Sequence, residues 1–366
     1  MKVLLVGATF NSNFGDLLFS HLFYNKCKEV GFEMVSFWQW PRHVMCDFCR
    51  EELDYHECIS PWQAIRHDAL ILLSGGMMGE PYYSRRTTLL RFVRFVLPCL
   101  MFTLLRKPVY VLGSGGSPIY SGWLRKMMVY VLNHARYISV RNQETRDYYV
   151  EHGVRNEIHV TSDTAQVITP QCLPPLHIGQ ALTDFMANHR TILLQMSYSR
   201  NVDPIVARRI VPAIKRFLND HPDYRVVFAT DKVTPKEWIN GMETVNGLPA
   251  DRLMLYEYRS SWQLAALINR VDVVMTTTLH VGIVGASLGK SVLSFAAFYD
   301  KTRRYYKQIH EEGRCVPMRD VTPDIAYSML CRYHAEPLIL DASIRQMAAS
   351  NLDVIEQIAQ STKSIS

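Results

Sequence analysis

Several things are scarce in this chain. No uninterrupted apolar run reaches the ~20 residues that a bilayer-spanning helix needs, which argues against a spanning segment. There is no low-complexity tract, and a chain with 48% hydrophobic and 20% charged residues has enough apolar material to fold. Cysteine is sparse, with eight in 366 residues, which reads as a protein with reduced thiols rather than a disulfide scaffold. Neither sign of charge dominates. The net +6 favours anionic ligands or surfaces but does not point to nucleic acid. The glycine clusters "SGGMMG" and "GSGGSP" lack the spacing of a dinucleotide fingerprint or a P-loop. The opening "MKVLLVGATF" has one lysine, a short apolar run and no small-residue cleavage pattern, so it reads as a first buried strand and not a signal peptide.

What the chain does have is alternation. Apolar runs that read as strands are "KVLLVG", "EMVSFWQW", "ALILLSGG", "PVYVLGSG", "YISVRN" and "EIHVTSD" in the first half. In the second they are "TILLQMSYS", "YRVVFATD", "LMLYEYR", "VDVVMTTT" and "KSVLSFAA". Nearly continuous apolar strands separated by amphipathic helices imply parallel sheets covered on both faces. At 366 residues the chain exceeds one typical core, so two domains are expected. The segment Thr169 to Gln180, "TPQCLPPLHIGQ", has three prolines and no periodicity and reads as the linker. The expected fold class is α/β, with two doubly wound Rossmann-like domains facing a cleft. The N-terminal one spans residues 1–170 and the C-terminal one 185–340, with closing helices over 341–366.

In such sheets ligands bind beyond the carboxyl ends of the strands. Asn11, Asn13, Gly15 and Asp16 follow the first strand, and Ser74 to Glu80 the third. Gly113 to Pro118 follow the fourth, Arg141 the fifth and Asp163 the sixth. In the second half, Ser197 to Arg200, Thr230 to Lys232, Thr276 to His280 and Phe298 to Tyr306 hold the equivalent places. Each has a plainer reading. Asp16 can simply cap a helix, and paired glycines can simply permit tight turns. It is their joint placement at strand ends that points to a site.

The stretch "VMTTTLHVGIVGASLGKSVLSF" is the most informative. A strand ends at three threonines, and a small-residue helix begins near His280. A helix starting there directs its free N–H groups and positive dipole end toward a ligand, which makes a ready anion site. Gly282, Gly285 and Ala286 let such a helix approach the sheet. The dipole favours neutral His280, able to relay a proton near neutral pH. The competing reading, equal on spacing alone, is that His280 only caps the helix or bonds a neighbouring strand.

In order along the chain, "GATFNSNFGDLL", "ALILLSGGMM", "YVLGSGGSP", "ISVRNQETRDYYVEHGV", "VTSDTA" and "TTTLHVGIVGASLGKSVLSF" resemble the polysaccharide pyruvyl transferase family. The resemblance covers most of the chain. It departs at Thr278, where the family has an arginine before Leu-His, and at Lys290, where a proline is usual. It implies a two-domain fold similar to GT-B. It also implies an enzyme that moves a pyruvate unit from phosphoenolpyruvate to a sugar of a cell-surface polysaccharide precursor, closing a cyclic ketal. On this resemblance His280 is the first acid/base candidate and Asp16 the second. Arg141, Thr278, Leu279, Lys301 and Arg303 would bind the donor, with Lys290 and Arg304 as further nearby charge. Asn13, Gly15, Gly75, Gly76 and Gly115 would shape the acceptor side. The scheme needs no metal and no cofactor beyond the donor substrate. The alternatives are a GT-B glycosyltransferase using a nucleotide sugar, and a non-catalytic glycan-binding relative.

Two further features stand apart. Cys46, Cys49, His56 and Cys58 are zinc-type ligands, but the second pair is too close for the usual second arm, so plain loop cysteines are the better expectation. The stretches Arg85 to Lys107 and Ser121 to Asn133 are basic, apolar and aromatic. They read either as core helices with snorkelling polar faces or as interfacial helices that hold a cytoplasmic protein at the inner face of a membrane, near a lipid-linked acceptor.

Overall fold

The computed structural model describes the chain except residues 11, 42–54, 77–78, 80–83, 117, 198 and 364–366; for residues 299, 362 and 363 it describes the backbone only. The chain divides into two compact units, Met1–Val167 with Ala342–Ser366, and Ile168–Asp341.

The first unit is built on seven parallel strands: β1 (Lys2–Val6), β2 (Met34–Trp38), β3 (His56–Cys58), β4 (Ala69–Leu72), β5 (Val109–Ser114), β6 (Tyr137–Val140) and β7 (His159–Val160). Their order is β3-β2-β1-β4-β5-β6-β7, and every pairing is parallel. Both faces are covered, which is why strands such as β4 ("ALIL") are apolar throughout. Successive β1 residues serve opposite cores. Leu4 and Val6 join Phe95, Cys99, Phe102, Leu124 and Met128 on one side. Val3 and Leu5 join Leu17, Phe23, Val354, Ile355 and Ile358 on the other.

The last three of those belong to the C-terminal helix Ala342–Lys363, which is part of the first unit. It is fixed by a buried amide. Asn351 Oδ1 accepts from Ser139 Oγ (2.7 Å) and Thr161 Oγ1 (3.1 Å), while its Nδ2 donates to the Ser162 carbonyl and Thr164 Oγ1, both at 3.1 Å. Its hydrogen-bonding capacity is filled, as a fully buried amide requires.

The second unit has six parallel strands: β8 (Arg190–Gln195), β9 (Tyr224–Ala229), β10 (Leu253–Tyr256), β11 (Val273–Thr276), β12 (Ser291–Ala296) and β13 (Cys315–Pro317). Their order is β10-β9-β8-β11-β12-β13. One face packs Ile192, Leu194, Val226 and Met275 against Ile214, Phe217, Leu330 and Tyr333. The unit begins in an irregular segment with one tight turn at Pro170–Cys172, followed by the helix Gln180–Met186.

The helix Arg85–Leu104 corrects the reading of apolar runs. It is long and apolar enough, by length and composition, to cross a bilayer, and Arg91 and Arg94 hid this by interrupting the run. Its middle turn, Phe92–Val96, is π-helical. This widened turn ends one residue short of Pro98, which has no N–H to donate to the Arg94 carbonyl.

Candidate functional site

Each sheet reverses its strand order at one place, β1/β4 in the first unit and β8/β11 in the second. The crevice beyond the carboxyl ends at such a switch point is where open α/β sheets bind ligands.

In the second unit the switch point carries a hydroxyl–amide cluster. Gln195, last residue of β8, accepts through Oε1 from Thr276 Oγ1 and, at 2.9 Å, from Thr278 Oγ1. The Thr278 backbone N–H donates to Thr276 Oγ1 at 3.0 Å. Thr278 is the N-cap residue of the helix Leu279–Ser287, yet its side chain makes no capping bond, because the hydroxyl is turned to Gln195. The helix therefore presents its positive end to the carboxyl edge uncapped by its own N-cap residue. His280 sits half-buried in its first turn, with Nε2 shielded from solvent. Leu279 is buried. A Cβ on Gly285 would fall 3.0 Å from Val292 Cγ2 and 3.3 Å from Val274 Cγ2, so glycine is what lets this helix approach the sheet.

Beside β8, at the end of β9, lies Asp231. It is buried and accepts from Ser197 Oγ. Burial pushes its carboxyl above the usual carboxylate range, opposed by the Ser197 bond and the charges of Lys232 and Lys301. Lys301 itself is exposed on the helix Tyr299–Gln308, stacked 4.9 Å from the Phe298 ring. Arg303, on the same helix, acts on the buried Cys315 thiol, which burial raises to about 12. Asp231 lies within the strand-end stretch Thr230 to Lys232 read from the sequence, whereas Gln195 escapes such a reading because a polar residue ending a buried strand has no periodic signature. Lys290 is at the opposite, amino end of β12. Its Nζ donates to the Asn269 carbonyl at 2.7 Å and caps the helix Ser261–Arg270, and burial lowers its pKa.

The other candidates lie in the first unit. Asn13 is the N-cap of the helix Phe14–Glu29 and accepts from the Asp16 N–H at 3.4 Å, so the capping role expected of Asp16 falls to Asn13. Gly15 is buried in the first turn, and Asp16 is half-buried there. Across the switch point, the Gly75 carbonyl accepts from the Gly115 N–H at 2.8 Å, and the Gly76 carbonyl accepts from Arg91 Nη1 at 3.1 Å. Arg141 is 8% exposed and donates through Nη1 to Asp163 Oδ2 at 2.8 Å. A Cβ on Gly115 would lie 2.6 Å from Arg141 Cζ, so Gly115 makes room for that guanidinium. Arg141 thus gathers with the glycine turns, and Thr278, Leu279, His280, Lys301 and Arg303 with the second unit.

Of the four zinc-type residues, Cys46 and Cys49 lie outside the described residues. Cys58 Sγ donates to the Ser60 carbonyl at 3.6 Å, and burial raises the thiol to about 11. Among the described residues no three His, Cys, Asp or Glu side chains gather to hold a metal ion. A cavity of 420 Å³ lined by Asn133, Gly153, Arg155 and Asn156 lies near the amino ends of β6 and β7, away from the switch point. Its asparagines are committed to backbone groups such as Gly153 O and Ala135 O, so it reads as a loop staple.

The fold has solved relatives. A protein described as a UDP-N-acetylglucosamine 2-epimerase of Listeria monocytogenes is similar with a TM-score of 0.66 at 13% identity, over 98% of this chain and 97% of that one. The UDP-GlcNAc 2-epimerase of Neisseria meningitidis, solved with UDP-GlcNAc, is similar at 0.64 and 12%, over 98% and 100%. A spinosyn rhamnosyltransferase is similar at 0.52 and 12%, over 100% and 99%. At such identities the likeness is one of fold: two Rossmann-like α/β domains of the GT-B class. None of the curated proteins compared matches the chain in sequence. The model of one family, polysaccharide pyruvyl transferase, matches residues 13–297 and takes in the switch-point residues of both units. The chain belongs to the polysaccharide pyruvyl transferase family.

Proposed function

We infer that the chain transfers a pyruvate unit from phosphoenolpyruvate to a sugar of a cell-surface polysaccharide precursor, closing a cyclic ketal on two hydroxyls. The observation that carries this reading is the start of the helix Leu279–Ser287. It is a helix N-terminus that its own N-cap side chain leaves open, with His280 in its first turn, at the switch point of a parallel sheet, in a chain of this family. Phosphoenolpyruvate brings a carboxylate and a phosphate, and a helix N-terminus with a nearby lysine such as Lys301 suits both. With Thr278 in the arginine position, the positive charge at this point comes from the helix end and from the helix Tyr299–Gln308, which carries Lys301 and Arg303.

The chemistry adds a proton to the donor's methylene carbon and two sugar oxygens to its C2, and phosphate leaves. One hydroxyl proton ends on the new methyl group and the other departs with phosphate. We assign proton delivery to His280, with Asp16 as the second acid/base candidate. Arg141 is a further anion contact. Asn13, Gly15, Gly75, Gly76 and Gly115 shape the acceptor side. The assigned compartment is the cytoplasm, and the scheme uses no metal or cofactor.

The test is mass spectrometry of lipid-linked oligosaccharides incubated with the protein and phosphoenolpyruvate. A mass gain of one pyruvate ketal, with phosphate released, is expected. Nucleotide release from a nucleotide sugar without phosphoenolpyruvate consumption would instead mean a GT-B glycosyltransferase. No turnover of either donor, with glycan binding retained, would mean a non-catalytic relative.

A further inference from the structure

Among the described residues, the first unit has an exposed apolar face. The inner side of the helix Arg85–Leu104 carries Phe95, Cys99 and Phe102 into the core. Its outer side is apolar as well: Leu89 is 58% and Leu104 64% exposed, with Val93, Leu97 and Leu100 half-buried between them. Only 33% of the helix's most apolar stretch is buried in the protein. The neighbouring helix Gly122–His134 packs against it, with Trp123 edge-on to Phe92 at 5.3 Å. It turns Trp123, Met127 and Tyr130 outward at helical spacing, with Lys126 among them.

The charge around this face is of one sign. From Pro81 to Gln143 the chain has ten Arg and Lys and no Asp or Glu. Arg91 and Arg94 are engaged within the protein, Arg91 by the Gly76 carbonyl and Arg94 over the Phe10 ring. Arg85 and Arg86 at the start of the long helix, Arg106 beyond its end and Lys126 are exposed, and their side chains have no hydrogen-bond or ion-pair partner among the described residues. Arg85 and Arg86 also oppose the helix dipole, an arrangement that an external anion would relieve.

We propose that this face rests on the surface of an anionic bilayer, with the two helices in the interfacial plane. An apolar face flanked by unpaired bases fits an anionic headgroup layer above acyl chains. The long helix lies on the membrane and does not span it. Spanning would draw Phe95, Cys99 and Phe102 out of the core and break the bond from Trp38 Nε1 to the Val93 carbonyl (3.2 Å). The proposal does not depend on the transfer reaction.

The test is flotation of the full chain with vesicles of phosphatidylcholine alone or mixed with phosphatidylglycerol, at low and high salt. Binding is expected to the mixed vesicles at low salt, with a roughly tenfold loss at high salt. Arg86→Glu with Lys126→Glu should cost roughly tenfold or more. Leu89→Glu with Leu104→Glu should abolish binding without changing the thermal melt. The proposal is overturned if the folded wild-type protein stays with the soluble fraction, binds both vesicle types equally, or binds as well after the apolar substitutions. It is also overturned if light scattering shows a dimer in solution that Leu89→Glu with Leu104→Glu splits, because the face is then covered by a second copy.

Discussion

Thr278 stands where the family resemblance leads one to expect an arginine before Leu-His; it has neither the length nor the charge of one, and its hydroxyl is committed to Gln195. His280→Ala should leave the fold intact, since the side chain is half-buried in a first turn, and lower transfer by roughly 10²–10⁴, the range for a lost general acid or base. Thermal melting read beside turnover checks both halves of this expectation. Asp231 gives a sharper expectation. Its folded pKa is raised above its usual 3.8 by burial, so the folded state binds the proton more tightly than the unfolded state. Stability is therefore lost as pH rises from near 3.8 through the raised value, and the ionised carboxylate remains a cost above it. Asp231→Asn keeps an acceptor for Ser197 Oγ and removes that cost. The variant should melt higher than wild type at neutral pH, with the difference vanishing in acid. A melt unchanged across that pH window would show that the carboxyl carries no such strain. Reduced transfer together with the higher melt would mark Asp231 as a group kept for activity at the expense of stability.

At the scale of elements, the sequence was legible wherever burial on both faces wrote itself as a continuous apolar run. "ALIL" and "SVLSFA" could be little else than central parallel strands, and they are β4 and β12. The helix Leu279–Ser287 could be placed because its small residues answer a packing need that Gly285 meets against Val274 and Val292. The edge strands β3, "HEC", and β13, "CVP", were not legible, because three residues at a sheet edge carry no periodicity and include polar or proline positions. Nor were the buried polar contacts. Nothing local tells that Asn351, deep in an amphipathic helix, bonds side chains 187 to 212 positions away. That amide makes its own prediction. Asn351→Ala leaves Ser139, Thr161 and Thr164 hydroxyls and the Ser162 carbonyl short of a buried partner. It should destabilise the first unit by about 3 kcal/mol, from unsatisfied buried groups together with a small cavity. Denaturant melts that fall by less than about 1 kcal/mol would mean that water or rotated hydroxyls restore the network.

At the scale of the molecule, the two units differ in how the chain builds them. The second is one continuous segment, Ile168–Asp341, with its own six-stranded sheet and its own core around Phe217, Phe228 and Met275. The first is closed by a segment from the far end of the chain, since Val354, Ile355 and Ile358 complete the core behind β1, β4 and β5. Lys26 of the Phe14–Glu29 helix also pairs with Glu356 of that segment. A fragment of residues 168–341 should therefore fold alone and melt cooperatively, as expected of a continuous domain of ordinary size with its own core. A fragment of residues 1–167 should not. Without the Ala342–Lys363 helix it exposes part of one apolar side of a parallel sheet, the part that the Phe14–Glu29 helix does not cover, and leaves Ser139, Thr161 and Thr164 without Asn351. It should keep helical circular dichroism, lose a sharp melt and bind a hydrophobic dye. Adding a peptide of residues 342–363 in trans should restore the sharp melt, because the helix carries both the missing apolar face and the amide. A sharp melt for residues 1–167 alone would show that the core on the opposite side of the sheet, around Phe95, Phe102 and Leu124, is sufficient, and that the C-terminal helix only covers a sheet already formed.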